Sequence, residues 1–297
     1  MPAGQQLSAF EVSPGKTGRF CVYHDESGTD TTHDRFQLHG ALLVPSEETH
    51  WAQALAALMG ARRGYDGRIH FVELRDNARN PKSHIAAEWV RVYFGELSRY
   101  CYYKCMIADT HAPSFKAARF PRPFQLYNYT ATLAVFGSIV WSLKQYDEVA
   151  LSLFSESITR PDEDNFTAFL PSEVARRARL RKLGDCPRVT ISGGQVTLVP
   201  GDPRKAAPEM KGHCEFIQLT DLLTGAVAQA LNAPASQQVK LDLGQIAAGW
   251  IVDSRRPPWH QQHDLHRRFS VSCYPDAKGR FYDVPLAIEG RGQMRLF

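Results

Sequence analysis

Apolar residues fall into short runs, which predict strands, and longer segments, which predict helices. The first short run ends in two carboxylates and a turn, and reads FCVYHDESG at residues 20–28. Val22 and Tyr23 favour a pleated strand and Ser27-Gly28 interrupts it, so we predict a strand that carries Asp25 at its end. The run at 36–44 then predicts an antiparallel partner, which closes a hairpin.

Strands and helices alternate after this hairpin. The apolar periodicity predicts helices over 46–63, 82–99, 124–143, 164–183, 216–231 and 239–252, and strands over 102–108 and 149–156. Residues 188–199 are interpreted as a hairpin around Gly193-Gly194. Residues 1–18 lack periodicity and are expected to form a lead-in. An initial hairpin followed by such alternation predicts an α/β fold with a sheet of mixed direction.

Composition is typical of a folded globular protein, with 43% hydrophobic and 22% charged residues. No apolar run reaches the roughly 18 residues of a membrane helix, and the start lacks the features of a signal peptide, so we expect a cytoplasmic protein without a membrane partner. The six cysteines have no zinc-finger spacing. A net charge of +4 is compatible with a polyanionic partner but does not identify one.

Two motifs at opposite ends of one segment carry a family resemblance. The first is HDESG at 24–28 with FQLHGALLV at 36–44, and the second is QLTDLLTG at 218–225. Together they resemble the DUF3800 family. This resemblance implies a ribonuclease H-like mixed sheet flanked by helices, with a domain over 19–232 and a C-terminal extension over 233–297 packed on it.

Acids recur at the ends of predicted strands or early in helices. They are Asp25, Glu26, Glu73, Asp109, Glu156 and Asp221. Carboxylate oxygens are hard ligands that favour Mg²⁺ or Mn²⁺ as the cofactor. Two such ions about 4 Å apart activate a water and stabilise the leaving oxygen of a phosphodiester, so a carboxylate cluster would predict metal-dependent hydrolysis.

Asp221 is the most informative of these acids. Its helix is apolar nearly all round, which predicts a buried helix, and an Asp there needs a partner. Gln218 and Gly225 fall on the same helical face, and the glycine leaves room for a close approach. We expect Asp221 to be a metal ligand; the alternative is an Asp in the first turn that accepts backbone amides.

The resemblance also implies an order for the acids. Ribonuclease H-like enzymes place one acid on the first strand, others on a later strand and a helix, and a last one on the C-terminal helix. Asp25 and Asp221 match the two ends of that pattern. We expect Glu156 to be the middle acid, with Asp109 as the competing candidate.

Four further residues are candidates. Glu73 follows a His-aromatic pair, as in a similar family segment, and is a candidate metal ligand; the alternative is a surface Glu paired with Arg75. Glu26 is interpreted as a residue of the outer shell or of the hairpin. Lys211 and His213 precede the last helix and are expected to contact the scissile phosphate or to transfer a proton.

A basic segment lies at the end of the predicted helix 164–183. We predict that its cations border the acidic site and bind a nucleic-acid backbone, because Arg and Lys neutralise phosphates; the alternative is a solvated helix face. The predicted contacts are Arg176, Arg177, Arg181 and Lys182. The histidines at 260, 263 and 266 retreat about 60° per step on a helix, so they do not converge on one metal and are interpreted as a polar, phosphate-facing surface.

The expected function is metal-dependent hydrolysis of phosphodiester bonds in DNA or RNA with Mg²⁺ or Mn²⁺, in defence or a mobile element as the resemblance implies. One alternative is a non-catalytic nucleic-acid-binding or partner-regulated module with a degraded site, and another is a phosphatase acting on small nucleotides. A homodimer or a partner protein fits these alternatives. The discriminating feature is a middle acid that faces Asp25 and Asp221.

Overall fold

A computed structural model describes residues 15–28, 35–76, 80–181, 185–232, 235–253, 268–275 and 286–288. The strands are β1 (Thr17–Ser27), β2 (Phe36–Pro45), β3 (Tyr102–Asp109), β4 (Glu148–Glu156), β5 (Arg188–Val199) and β6 (Phe269–Tyr274). The helices are α1 (Glu48–Arg62), α2 (Pro81–Gly95), α3 (Pro123–Ser142), α4 (Phe166–Arg179), α5 (Lys211–Leu231) and α6 (Gln238–Asp253). No helix in these ranges is long and apolar enough to cross a membrane.

The strands form one mixed sheet in the order β5-β4-β1-β2-β3-β6. The first three strands are antiparallel neighbours, β4 and β5 run parallel to β1, and β6 runs parallel to β3. Helices flank this sheet, so the predicted α/β fold class is confirmed and is consistent with a ribonuclease H-like fold. The first strand therefore lies in the middle of the sheet, between the hairpin partner β2 and the parallel strand β4.

Alternation along β1 divides its side chains between two cores. Cys21 and Tyr23 pack with α1, α2, α5 and α6 on one side of the sheet, which we call the α5 face. Phe20 and Val22 pack with α3 and α4 on the other side, the α3 face. Because neighbouring residues of a strand point to opposite faces, Asp25 belongs to the α5 face and the next residue belongs to the α3 face.

Close packing between α5 and β2 positions the end of β1. Gly40 lies opposite Asp25 in the antiparallel ladder. A Cβ atom on Gly40 would lie 2.1 Å from Thr224 Oγ1, so only glycine allows this approach of α5. Asp221 lies on α5 about one turn before Thr224, and this packing therefore brings it towards the end of β1.

The structure differs from the predicted elements in two places. Residues 188–199 are one strand parallel to β4, so the predicted hairpin is wrong. Gly193 and Gly194 adopt positive φ angles of 70° and 64°, and the register shifts there, which makes a bulge instead of a turn. Beyond 252, where no strand is predicted, β6 joins the sheet edge, while α6 packs on α5.

Candidate active site

Acids from three distant segments meet on the α5 face. Glu156 is the last residue of β4, and the preceding Ser155 lies opposite His24 in the parallel ladder with β1. Asp25 and Glu156 are therefore the next residues along two adjacent parallel strands. Both face α5, which carries Asp221. We call Asp25, Glu156 and Asp221 the acidic cluster.

Burial and mutual repulsion raise the pKa values of this cluster. Burial and then the charges of Asp221 and neighbouring glutamates raise the pKa of Asp25 well above its usual range. Burial raises the pKa of Asp221 to about 7, against the opposing effect of a backbone N–H. The pKa of Glu156 is also raised, mainly by burial, although the charge of Arg68 opposes this.

Asp25 also carries an unsatisfied oxygen. Its residue is only 3% exposed, and Oδ2 has no hydrogen-bond partner. A buried polar atom without a partner costs about 1–3 kcal/mol, and more when it is charged. Such an atom at the centre of repelling carboxylates indicates a place where a proton or a cation binds.

Two acceptors on α5 hold an extended segment over the cluster. Gln218 Oε1 accepts a hydrogen bond from the backbone N–H of Ile69 at 2.5 Å, and Asp221 Oδ2 accepts one from Phe71 at 2.6 Å. We call residues 68–71 the strap. A Cβ atom on Gly225 would lie 2.2 Å from the Phe71 ring, so the room left by this glycine is filled by the strap.

The strap places one cation and one imidazole beside the acids. Arg68 Nη2 lies 2.7 Å from Glu156 Oε1, and Arg68 Nε is buried without a partner. His70 Nε2 lies 3.6 Å from Asp221 Oδ1. Because the backbone N–H of Val72 donates to His70 Nδ1, the ring proton is assigned to Nε2. Burial, followed by the charge of Arg68, lowers the pKa of His70 to about 4, so this ring is neutral at pH 7.

A glycine closes the loop after β5 over the Arg68–Glu156 pair. A Cβ atom on Gly201 would lie 1.9 Å from Glu156 Oε1 and 3.1 Å from Arg68 Nε. Both neighbours are side-chain atoms of the ion pair. The backbone at Gly201 thus limits the positions that the Glu156 carboxylate can adopt.

The donor chemistry of the cluster fits a hard divalent cation, because it consists of carboxylate oxygens and includes the unpartnered Oδ2 of Asp25. Within the described ranges, however, no group of three or more His, Cys, Asp or Glu side chains is arranged to hold a metal ion. Arg68 and the Phe71 N–H occupy oxygens of Glu156 and Asp221. The cluster therefore has the oxygen donors that a divalent cation prefers, but they are not arranged as a complete set of metal ligands.

Glu73 lies just beyond the strap, in a 3₁₀ turn, and does not join the cluster. Its carboxylate pairs with Lys82, and not with Arg75 as the surface alternative had it. Arg75 instead donates to the carbonyl oxygens of Val72 and Leu74. Partial burial raises the pKa of Glu73, but the hydrogen bond and charge of Lys82 outweigh this and lower it overall.

Asp109 lies at the end of β3, two strands or roughly 10 Å from β1. Arg35 donates two hydrogen bonds to its carboxylate, at 3.0 and 2.9 Å. Burial raises the pKa of Asp109, but the Arg35 contacts lower it overall. Of the two candidates for the middle acid, Glu156 is the one that lies beside Asp25.

Glu26 faces the α3 side of the sheet. Tyr127 donates its hydroxyl proton to Glu26 Oε2 at 2.7 Å, and Arg160 Nη2 donates to the same hydroxyl oxygen at 2.8 Å. Burial raises the pKa of Glu26, and the Tyr127 hydrogen bond and the Arg160 charge oppose this. The Glu26 side chain is thus paired on the far side of the sheet, and Glu26 acts on Asp25 through its charge and a backbone hydrogen bond.

Lys211 and His213 lie at the start of α5. Lys211 is exposed and precedes Asp221 by ten residues, which is about 15 Å along the helix axis. The His213 ring stacks on Phe154 at 4.1 Å and contacts Tyr23 Oη through Nδ1 at 2.9 Å. The structure brings neither residue to the acidic cluster.

The basic segment at the end of α4 lies on the α3 face, opposite the cluster. Arg176 and Arg177 both pair with Glu173, at 2.7 and 2.9 Å. Arg181 lies over the ring of Phe136. The segment therefore does not border the acidic cluster. Lys182 lies outside the described residues, as do the histidines at 260, 263 and 266.

Sequence reasoning missed the buried support beneath the strap. Arg62 and Glu215 form a buried ion pair at 2.7 Å. Arg62 also donates to Gln218 Oε1 and to the carbonyl oxygen of Gly67. Glu215 in an otherwise apolar helix was the available signal, since a buried acid needs a cation, but no spacing in the sequence identifies Arg62 as that cation.

Comparison of the chain with protein-family models, with curated proteins and with solved structures gives no match. The resemblance to the DUF3800 family therefore stays a prediction that rests on the motifs at 24–28 and 218–225. The chemistry of the site is argued below from its own geometry.

Proposed function

We propose that this protein is a nuclease that hydrolyses phosphodiester bonds of DNA or RNA, with Mg²⁺ or Mn²⁺ held by Asp25, Glu156 and Asp221. The observation that carries the proposal is the acidic cluster itself, in which buried carboxylates raise one another's pKa values. A divalent cation would remove this repulsion and allow the acids to ionise together at neutral pH.

The bound cation would supply an activated water and stabilise the leaving oxygen of the phosphodiester. Asp25 offers the Oδ2 atom that has no other partner. Asp221 is oriented by the Phe71 N–H, which leaves Oδ1 towards His70. Arg68 pairs with Glu156 and would bind a phosphate oxygen of the substrate. The proposed reaction does not involve Glu73, which pairs with Lys82, or Lys211.

A non-catalytic nucleic-acid-binding module is the second candidate. Arg68 bound to Glu156, together with the absence of a group of three potential ligands in the described part of the chain, favours it. In such a module Arg68 would permanently replace the cation. The two candidates differ in one respect, since only the nuclease requires a divalent ion.

A cleavage assay separates them. Labelled single-stranded DNA and RNA should be cut in the presence of Mn²⁺ and remain intact with a chelator, and Asp221→Asn should abolish the reaction. Asp109→Asn is the matched control. It also removes an acid from the end of a strand in the same sheet, but this acid is already paired with Arg35. A nucleoside monophosphate assayed in parallel tests the phosphatase alternative.

Loss of cleavage in both variants would indicate general damage to the fold, and this would appear in their melting temperatures. Cleavage by Asp221→Asn at the wild-type rate, or by the wild type without divalent ions, would refute the proposal.

A further inference from the structure

Two cations meet at one backbone oxygen just beyond the strap. Arg75 Nη1 donates to the carbonyl oxygen of Val72 at 2.8 Å, and Lys240 Nζ donates to the same oxygen at 3.1 Å. Neither side chain forms an ion pair with a carboxylate among the described residues. We call Arg75 and Lys240 the cationic pair.

The pair lies beside the acidic cluster. Lys240 Nζ is 5.5 Å from the centre of the Phe71 ring, and the backbone N–H of Phe71 binds Asp221. Burial and the charge of Arg75 lower the pKa of Lys240, while the charge of Asp221 raises it. The two cations are therefore close enough to repel each other, and Asp221 is close enough to be felt by Lys240.

Nearby acids are engaged elsewhere. Glu73 pairs with Lys82. Asp76 accepts the backbone N–H of Val239 at 2.8 Å, which caps α6. Asp242 accepts a hydrogen bond from Gln238 at 2.7 Å. Two repelling cations that form no ion pair with these acids make a site for an external anion, because an anion would remove the repulsion.

The residue that joins the two cations is itself exposed. Val72, whose carbonyl oxygen joins the two cations, is 63% exposed and offers an apolar contact for a sugar or base. The basic segment of α4 lacks these properties, because Arg176 and Arg177 are paired with Glu173 and lie on the opposite face of the sheet.

We propose that Arg75 and Lys240 bind a backbone phosphate of the nucleic-acid strand whose scissile bond lies at the acidic cluster. This inference rests on the proposed nuclease function. It moves the predicted nucleic-acid interface from α4 to the segment just after the strap and the first turn of α6. DNA and RNA share the phosphate that the cationic pair would bind.

The test is a binding titration in an Asp25→Asn background, which is designed to bind without cutting. Anisotropy of a fluorescein-labelled single strand, DNA in one arm and RNA in the other, gives the affinity between about 50 and about 200 mM salt. Arg75→Gln with Lys240→Gln is compared with Arg176→Gln with Arg177→Gln, which removes the same number of charges from α4.

Each phosphate contact to a single strand contributes roughly 0.7 to the slope of log affinity against log salt. Because the pair binds one phosphate, the Arg75/Lys240 double variant should lower the slope by about 0.7. Over this fourfold salt range, the parent should lose roughly 2.6-fold more affinity than the double variant. The α4 variant should keep the parent slope.

Because Arg75 also stabilises the local backbone, Lys240→Gln alone is the second variant, with an expected decrease in slope that is measurable but below about 0.7, since Arg75 still contacts the phosphate. An unchanged slope in both variants would overturn the inference, and a lower slope in the α4 variant would assign the interface to α4. These outcomes leave the proposed function standing if Mn²⁺-dependent cleavage persists. A parent that binds neither strand would overturn both proposals.

Discussion

Asp25 and Glu26 are neighbours at the end of β1 and face opposite sides of the sheet. On the α3 face, Glu26 accepts the Tyr127 hydroxyl, and Arg160 bridges Tyr127 to Asp164. On the α5 face, Oδ2 of Asp25 has no partner. Asp25 is buried and Glu26 is partly buried. The Glu26 carboxylate is held by a side chain of the α3 face, whereas the Asp25 carboxylate keeps one oxygen without a partner. Of these two adjacent acids, Glu26 is therefore structural and Asp25 is available to a ligand.

The histidines reinforce this comparison. His24 lies on the α3 face between Ser155 and His39, with contacts of 3.1 and 3.0 Å. Burial, followed by the charge of Arg160, lowers the pKa of His24 to about 3. His39 Nε2 also lacks a partner, but it belongs to a neutral ring and costs less than an ionised oxygen. These two neutral rings therefore add no charge repulsion to the described part of the α3 face, unlike the carboxylates of the acidic cluster.

The largest expected effect is on stabilisation by metal. At a Mn²⁺ concentration one hundred times the dissociation constant, linkage predicts about 2.7 kcal/mol of added stability for the wild type. Asp25→Asn should lose this increment. Glu26→Gln should keep it, because the amide oxygen still accepts the Tyr127 proton. Melting temperatures with Mn²⁺ and with chelator give the increments, and equal losses in the two variants would erase the distinction between the faces.

The next effect concerns pH. The folded-state pKa values of Asp25 and Asp221 are raised, the latter to about 7, so ionisation costs more in the folded protein. The contribution of these two acids to metal-free stability should therefore be greatest below the unfolded pKa of about 4 and fall as the pH rises towards 7. Asp221→Asn should flatten this fall, since Asn still accepts the Phe71 N–H but carries no charge. Urea unfolding in chelator across this range tests it; an unchanged slope would contradict the assignment.

Arg68→Gln should have a smaller effect of opposite sign. Arg68 competes with a metal for Glu156 and repels it by charge, so its removal should tighten Mn²⁺ binding. A partly exposed ion pair contributes about 1 kcal/mol at most, which corresponds to roughly fivefold in affinity. Titration calorimetry measures the change. Weaker Mn²⁺ binding in Arg68→Gln would contradict this competition and would show that Arg68 orients Glu156 for metal binding.

The smallest effect is expected from Gly201→Ala. The added methyl group would meet Glu156 Oε1 at 1.9 Å and displace the carboxylate, which can rotate. Mn²⁺ affinity should fall by less than about fivefold. Gly60→Ala on α1 is the control, because its Cβ would meet no atom within 4 Å. Equal Mn²⁺ affinities in the two variants would show that Gly201 does not restrain Glu156.

The elements at both ends of the resemblance were predictable because their hydrophobic patterns are strong. The alternation around Val22 locates β1, and the apolar run around Asp221 locates α5. The sheet order also brings the end of β4 beside β1, which makes Glu156 the neighbour of Asp25. The strap was not predictable, because its hydrogen bonds to Gln218 and Asp221 join residues about 150 positions apart.

The prediction for α4 shows a further limit. Its run of arginines shows that the helix is positively charged but not which face of the sheet it lies on. The apolar side of the helix packs with α3, so the helix lies on the α3 face. Glu173 then pairs with two of these arginines. The cationic pair, by contrast, consists of Arg75, which follows the strap, and Lys240 on α6. These residues are far apart in the sequence, so no local sequence pattern predicts that they meet.

The most direct test of the acidic cluster is a crystal structure determined in the presence of Mn²⁺, with anomalous differences used to locate the ion. The account predicts a peak bound by Asp25, Glu156 and Asp221, with Arg68 released from Glu156. A crystal saturated with Mn²⁺ that shows no anomalous peak at these residues, or shows a peak only at Glu26 or Glu73, would contradict the account.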